Sequence, residues 1–161
     1  MEMKYKRHAD EINQMAELDQ KLRSSEDADW DEASKVDAEH SQRLKAIVQE
    51  VGFPTISKVG EKANRNAWLL IQHSPDHDFM KEYLGMMEEQ EENEYSSQHH
   101  AYLIDRILLH DKKPQMYGTQ MVMSEKTGKF ELWEVEDRVG LDERRKKIGL
   151  EPISEYLKNF E

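Results

Sequence analysis

The sequence contains no cysteine among its 161 residues. This absence excludes disulfides, thiolate nucleophiles and sites in which cysteine binds zinc or an iron–sulfur cluster. The chain also lacks any apolar run of the roughly 20 residues that a membrane-spanning helix needs. Its charged N-terminus, residues 1–7, lacks the apolar segment of a secretory signal. We therefore expect a cytoplasmic protein that does not bind a membrane.

Basic residues are too few to balance the acidic ones. Asp and Glu number 34 against 23 Lys and Arg, which gives a formal net charge of -11. Such an excess repels a phosphate backbone, so nucleic-acid binding is not expected. The charge is uneven, with an acidic run at residues 88–94 and a basic run at residues 144–147. We interpret the basic run as a solvated helix face, with local anion binding as the alternative.

Familiar catalytic and cofactor motifs are missing as well. The chain has no glycine-rich phosphate loop, no Gly-x-Ser-x-Gly elbow and no dinucleotide-binding fingerprint. Its histidines and carboxylates do not form a metal-binding spacing such as His-Glu-x-x-His. We therefore expect neither a cofactor nor a metal ion.

What the chain does contain is a series of narrow apolar stripes at the three- and four-residue spacing of amphipathic helices. They predict helices over about 5–24, 30–51, 57–73, 74–88 and 97–111, a hairpin over about 115–135, and two short helices near 141–148 and after 152. The fifth helix is apolar on every side, which predicts a central, buried helix. No repeat or linker interrupts the pattern. We predict a mainly α, single-domain helical bundle over residues 1–161, with about six or seven helices and one β-hairpin inserted after the central buried helix.

The first two helices carry polar residues beside or within their apolar stripes. The stripe of the first helix consists of Ile12, Met15, Leu18 and Leu22. Asp19 and Arg23 are one turn apart beside it. The stripe of the second helix, extended toward its N-terminus, includes His40 and Asp37.

Asp105 and Arg106 are charged residues in the middle of the apolar fifth helix. A buried charge without a partner costs several kcal/mol. Each must therefore meet a partner or a ligand. The structural alternative is that the two side chains connect the hairpin and the neighbouring helices to the core.

Gln72 and His73 lie between two predicted helices. The following helix would present the positive end of its dipole to His73, which favours a neutral imidazole. A neutral imidazole can act as a general base or as a hydrogen-bonding contact to a ligand. The structural alternative is a histidine that binds a backbone carbonyl.

Residues 115–120 place four hydrogen-bonding side chains around Gly118 at the opening of a predicted strand. Alternation would put Gln115, Tyr117 and Thr119 on one face and Gln120 on the other. Such neutral groups suit the orientation of a polar ligand. The structural alternative is a hairpin whose polar face meets water.

Several of these elements, taken together and in order, resemble a bacterial family, domain of unknown function 6624. The matching elements are Asp19-Gln20 with Arg23, residues 52–55 with Gly60, Gln72-His73, residues 101–103 with Asp105-Arg106, Gln115 with residues 117–120, and Arg144-Arg145 with Gly149-Leu150. The resemblance spans nearly the whole chain. It implies a stand-alone or fused helical domain and assigns no activity.

We expect a pocket for a small polar or anionic ligand, with hydrolytic or other acid–base chemistry. The expected catalytic residues are His73 and Asp105. The expected ligand-binding residues are Gln72, Arg106, Gln115, Tyr117, Thr119, Gln120, Arg144 and Arg145. The alternative is a non-catalytic immunity or regulatory module whose acidic surface recognises a basic protein partner.

Overall fold

A computed structural model describes residues 3–161, with side chains from Tyr5 onward. The chain forms two compact units: the first ends at Ser96 and the second runs from Ser97 to Glu161. The described residues contain seven α-helices and a two-stranded antiparallel hairpin. The prediction of a mainly α fold with one β-hairpin is therefore confirmed. None of the described helices is long and apolar enough to cross a membrane.

The first unit is built from four helices. They are α1 (Met3–Arg23), α2 (Trp30–Val51), α3 (Ile56–Gln72) and α4 (His77–Glu88), followed by a short 3-10 helix at Glu92–Glu94. Helix α1 packs against α2 and α3, and α3 also contacts α4. The buried apolar side chains include Ile12, Leu44, Ile47, Leu70, Ile71, Phe79, Met80 and Tyr83. Their spacing of three or four residues along each helix explains why the apolar stripes predicted these elements.

Side-chain caps set the starts of α2, α3 and α4. Asp29 caps α2 by accepting the backbone N–H groups of two residues in its first turn. Thr55 caps α3 and Asp76 caps α4. The hydroxyl of Ser74 lies 2.5 Å from that of Ser41 and also accepts the backbone N–H of Asp76. Because Ser74 makes these other contacts, the Asp76 carboxylate caps the helix.

The C-terminus of α2 is closed by a glycine and a lysine. Gly52 has a φ of 77° and donates its N–H to the carbonyl of Val48. The Lys58 ammonium donates to the carbonyls of Val51 and Phe53, at 2.9 and 3.2 Å. A cation here stabilises the negative end of the helix dipole.

The second unit begins with α5 (Ser97–His110). The hairpin strands β1 (Met121–Met123) and β2 (Phe130–Leu132) follow, and then α6 (Leu141–Lys147) and α7 (Ile153–Leu157). Two short 3-10 helices lie at Arg138–Gly140 and Lys158–Phe160. In the hairpin, Met121 pairs with Leu132 and Met123 with Phe130. No residue of α5 from 99 to 109 is exposed, as its apolar circumference predicted.

The hairpin is shorter than predicted, because residues 115–120 form a loop rather than the start of β1. Gly118 has a φ of 65°, which interrupts an extended chain. A Cβ at this position would lie 3.1 Å from Ile153 and 3.3 Å from Leu141. The predicted alternation of faces is therefore wrong. Gln115, Thr119 and Gln120 are all buried.

Candidate functional site

The most unusual polar residue of the first unit is Asp19, a carboxylate inside the helix bundle. It lies on α1 with no exposed surface. Its Oδ1 accepts a hydrogen bond of 2.8 Å from Nη1 of Arg23, one turn along the helix. Its Oδ2 accepts one of 2.7 Å from the side-chain amide of Gln20. The buried charge is therefore paired and hydrogen-bonded, as burial of a charge requires.

His73 contacts the same carboxylate from the end of α3. Its Nδ1 lies 2.8 Å from Oδ1 of Asp19. An ionised carboxylate only accepts hydrogen bonds, so the proton of this bond belongs to Nδ1. In the neutral ring Nε2 then carries the lone pair. The side chain is 21% exposed, and no other described residue hydrogen-bonds to the ring.

The ionised state of Asp19 follows from its neighbours. Burial on its own would raise the pKa of Asp19. The hydrogen bond and charge of His73, the Gln20 amide and the Arg23 guanidinium outweigh burial and hold the pKa below the ordinary aspartate value. Asp19 is therefore a carboxylate at neutral pH, able to fix the ring of His73.

Arg23 connects this pair to a second carboxylate on α2. Its Nη2 donates to Oδ2 of Asp37 over 2.6 Å, while Nη1 binds Asp19. Asp37 is 12% exposed and Arg23 21% exposed. One guanidinium thus bridges two aspartates and links α1 to α2.

His40 adds a second imidazole, one turn after Asp37. Its side chain is buried, and burial lowers its pKa, so the ring is neutral at neutral pH. Within residues 3–161, neither Nδ1 of His40 nor Oδ1 of Asp37 has a hydrogen-bond partner, although both atoms are buried. Buried polar groups normally find a partner. These two atoms therefore leave hydrogen-bonding capacity for a water molecule or a ligand group.

Three residues of this cluster have the geometry to bind a cation. One ligand atom each from Asp19, Asp37 and His73 lies within 4.8 Å of the others. However, the guanidinium of Arg23 already donates to both carboxylates. The cluster therefore contains its own cation, and its clearest chemical capacity is proton transfer at His73.

His73 and Gln72 were predicted as site residues, and both lie at the end of α3 in the first unit. Asp19, Arg23, Asp37 and His40 were not predicted as site residues. Two signals were present: Asp19 and Arg23 are four residues apart, and His40 and Asp37 continue the apolar stripe of α2. The contact between Asp19 and His73 joins residues 54 positions apart, and no local pattern indicates it.

The other predicted catalytic residue, Asp105, lies in the second unit with no exposed surface. It accepts the backbone N–H groups of Met116, Tyr117 and Thr119 and the hydroxyl of Thr119, at 2.8 to 3.0 Å for the shortest contacts. Burial raises the pKa of Asp105, and these hydrogen bonds oppose the rise. The geometry corresponds to the structural alternative: Asp105 connects the loop to α5.

Three predicted ligand-binding residues brace this same loop. The Gln115 amide donates to the carbonyls of Gln120 and Trp133, and its oxygen accepts the N–H of Gln120. The Gln120 amide donates to the hydroxyl of Thr119. Their polar atoms thus hold the base of the hairpin, and their role toward a ligand stays a prediction.

The remaining predicted residues of the second unit are arginines and a tyrosine. Arg144 donates to the carbonyls of Met116, Glu136 and Asp137. Arg145 donates to the carbonyls of Tyr117 and Glu151. Arg106, on α5, and the side chain of Tyr117 are half-buried.

Comparison with known proteins gives a family but no activity. No curated protein matches the chain, and no solved structure matches it. A family model described as a family of unknown function covers residues 7–161. This match spans nearly the whole chain and agrees with the resemblance noted in its motifs. The protein belongs to the family of unknown function DUF6624.

Proposed function

We propose that this protein is a cytoplasmic acid–base enzyme, of the hydrolase class, that acts on a small polar molecule with His73 as its general base. The observation that carries the proposal is the hydrogen bond between His73 and the fully buried Asp19. A histidine held by a buried carboxylate on one nitrogen, with the other nitrogen free to accept a proton, is suited to general-base catalysis.

In this proposal, Nε2 of His73 removes a proton from a water molecule as its oxygen attacks an electrophilic carbon or phosphorus of the substrate. The imidazolium that forms is stabilised by the negative charge of Asp19, 2.8 Å away. It then donates the same proton to the leaving group, which restores the neutral ring. Asp19 keeps its charge throughout, because Arg23 and Gln20 stabilise the carboxylate.

The unpartnered atoms of Asp37 and His40 support this assignment. They provide an acceptor and a ring nitrogen in the electrostatic environment of Asp19 and Arg23, since both of these charged side chains influence the ionisation of His40. A polar substrate group or an ordered water would satisfy them. They would orient a bound molecule without taking part in proton transfer.

The test is turnover of a panel of chromogenic esters, phosphoesters and amides by the full chain. The informative variant is His73→Asn, whose side-chain amide can still donate to Asp19 but has no basic nitrogen. General-base catalysis contributes about 10²- to 10⁴-fold, so we expect a rate loss of that order with little change in thermal stability. Glu61→Gln, an exposed change on the same helix, is the control and should leave both unchanged.

Two results would argue against the proposal. One is full activity in His73→Asn, which would remove His73 from the chemistry. The other is a large loss of stability in His73→Asn with no turnover of any panel member by the wild type. In that case the Asp19–His73 pair would be a structural contact of the bundle.

A further inference from the structure

A buried arginine in the second unit has no acidic partner. Arg145, on α6, is 1% exposed. Its Nε donates to the carbonyl of Glu151 at 2.6 Å, and Nη1 donates to the carbonyls of Tyr117 and Gly118 at 2.7 and 3.4 Å. In the part of the chain that the structure describes, it makes no ion pair with a carboxylate. Its positive charge is therefore stabilised by carbonyl dipoles and by the ring of Tyr156.

The hydrogen-bonding capacity of Arg145 is also incompletely used. A guanidinium carries five N–H donors. Three are accounted for by the contacts of Nε and Nη1. The two on Nη2 meet no acceptor among the described residues. Nη2 is not among the fully buried atoms without a partner, so its two donors remain available to water or to a ligand.

Arg145 lines a cavity of about 280 Å³ that opens to the surface. Tyr102, Tyr156 and the exposed residue Gln98 form other parts of its wall. The ring of Tyr156 lies 5.0 Å from the guanidinium carbon of Arg145, and its hydroxyl donates to the carbonyl of Thr119. The arginine is thus held from several sides, and its orientation is fixed before any ligand arrives.

We propose that this cavity binds a small oxyanion, the carboxylate or phosphate group of an organic molecule, on Nη2 of Arg145. Arginine is the side chain best suited to such groups, and its attraction for an anion is strongest where water is excluded. The volume admits a small metabolite, and the two tyrosine rings suit an organic body attached to the anionic group. Glu151 also lines the cavity, so a singly charged group fits better than a polyphosphate. The proposal does not depend on the chemistry assigned to His73.

The test is a titration of the full chain, followed by the NMR signals of the Arg145 Nε–H and the Gly149 amide. The added salts are sodium benzoate and sodium phosphate, with sodium chloride at matched ionic strength as the reference. We expect saturable shifts with one or both oxyanions and none with chloride. Tighter binding of benzoate identifies a carboxylate site, and tighter binding of phosphate identifies a phosphate site.

Three variants make the test specific. Gln98→Glu places a fixed carboxylate at the wall of the cavity and should weaken oxyanion binding by about tenfold or more through repulsion and competition for Arg145. Gln14→Glu changes the net charge equally at an exposed position of α1 and should bind as the wild type does. Leu150→Trp fills the cavity without a change of charge and should also remove the shifts.

The proposal is overturned if neither oxyanion gives a saturable shift at the two signals. It is overturned equally if Gln98→Glu and Gln14→Glu weaken binding to the same extent, since binding would then reflect net charge alone. Retained binding in Leu150→Trp would place the anion elsewhere. None of these measurements requires turnover, so failure here is distinguishable from failure of the His73 assignment.

Discussion

Asp105 and Arg145 hold the backbone of the same residue, Tyr117, on either side of its Cα. Asp105 accepts the N–H of Tyr117, and Arg145 donates to the carbonyl of the same residue. Both side chains are almost completely buried, and neither makes a direct ion pair with the other within the described chain. The peptide groups of residues 116–119 thus lie between a negative and a positive charge. Each charge is compensated through backbone dipoles.

This arrangement predicts a large effect of Asp105→Asn on stability. The variant would direct an amide NH₂ group at backbone N–H donors, leave at least one of them without an acceptor, and remove the charge opposite Arg145. We expect a loss of about 3 kcal/mol in the free energy of unfolding, measured by denaturant titration. Glu143→Gln, an exposed acid on α6, should change it by less than about 0.5 kcal/mol. Equal effects of both would show that the loop contacts contribute little.

Alanine substitutions at two glycines distinguish the energetic cost of a packing clash from that of backbone strain. Gly118 and Gly128 both have positive φ, 65° and 67°, so an alanine at either is strained by about 1 kcal/mol. Only at Gly118 would the new Cβ press on Ile153 and Leu141, whereas Gly128 faces open space. We expect Gly118→Ala to be more destabilising than Gly128→Ala by about 1 to 2 kcal/mol. Similar losses of stability in the two variants, measured by thermal or denaturant unfolding, would mean that the side chains of α7 and α6 move away from the new Cβ without a loss of packing energy.

The Asp19–His73 contact predicts the tautomer of the ring. Because the carboxylate accepts from Nδ1, the neutral form of His73 should carry its proton on Nδ1. Long-range ¹H–¹⁵N correlation spectra distinguish the two ring nitrogens directly. In Asp19→Asn, the amide can donate to Nδ1 and should shift the proton to Nε2. An unchanged spectrum in the variant would show that Asp19 does not set the tautomer.

The burial of His40 predicts that the free energy of unfolding changes with pH near neutrality. Burial lowers its pKa in the folded protein relative to the ordinary value of 6.5. The unfolded chain therefore binds a proton more readily, and the contribution of the neutral ring is present above pH 6.5 and lost as the pH falls below it. We expect unfolding free energies measured from pH 7.5 down to pH 5 to decline in the wild type. The decline should be smaller in His40→Leu and unchanged in Glu61→Gln.

Local patterns predicted the helices well, because a helix is defined by residues three and four apart. The bounds of α2 were predicted to the residue, and α5 differs from its prediction by one residue. The same reasoning failed at Leu18 and Asp19. Leu18 was expected inside and is 43% exposed, while its polar neighbour Asp19 is buried. The reason is that His73, 54 residues away, and Arg23 satisfy the carboxylate, which no local pattern shows.

The loop of residues 115–120 is a second case in which sequence spacing did not predict the partners of polar side chains. Its alternating polar residues indicated a strand, and the residue types fitted a ligand site. The fold instead directs these groups at the loop's own backbone, through Gln115, and at Asp105 of α5. Such side-chain contacts to the backbone depend on the path of the chain. The polar residues were correctly recognised as unusual, but their partners could not be predicted from spacing.

The two oxygens of Asp19 serve three different side chains, from Gln20, Arg23 and His73. Substitution of any one of these partners changes the environment of the other two, so the effects of paired substitutions should not add. This coupling has an evolutionary consequence. As sequences of the family diverge, these four positions should be inherited as a set, and a lineage that loses His73 should soon lose Asp19 and Arg23 too.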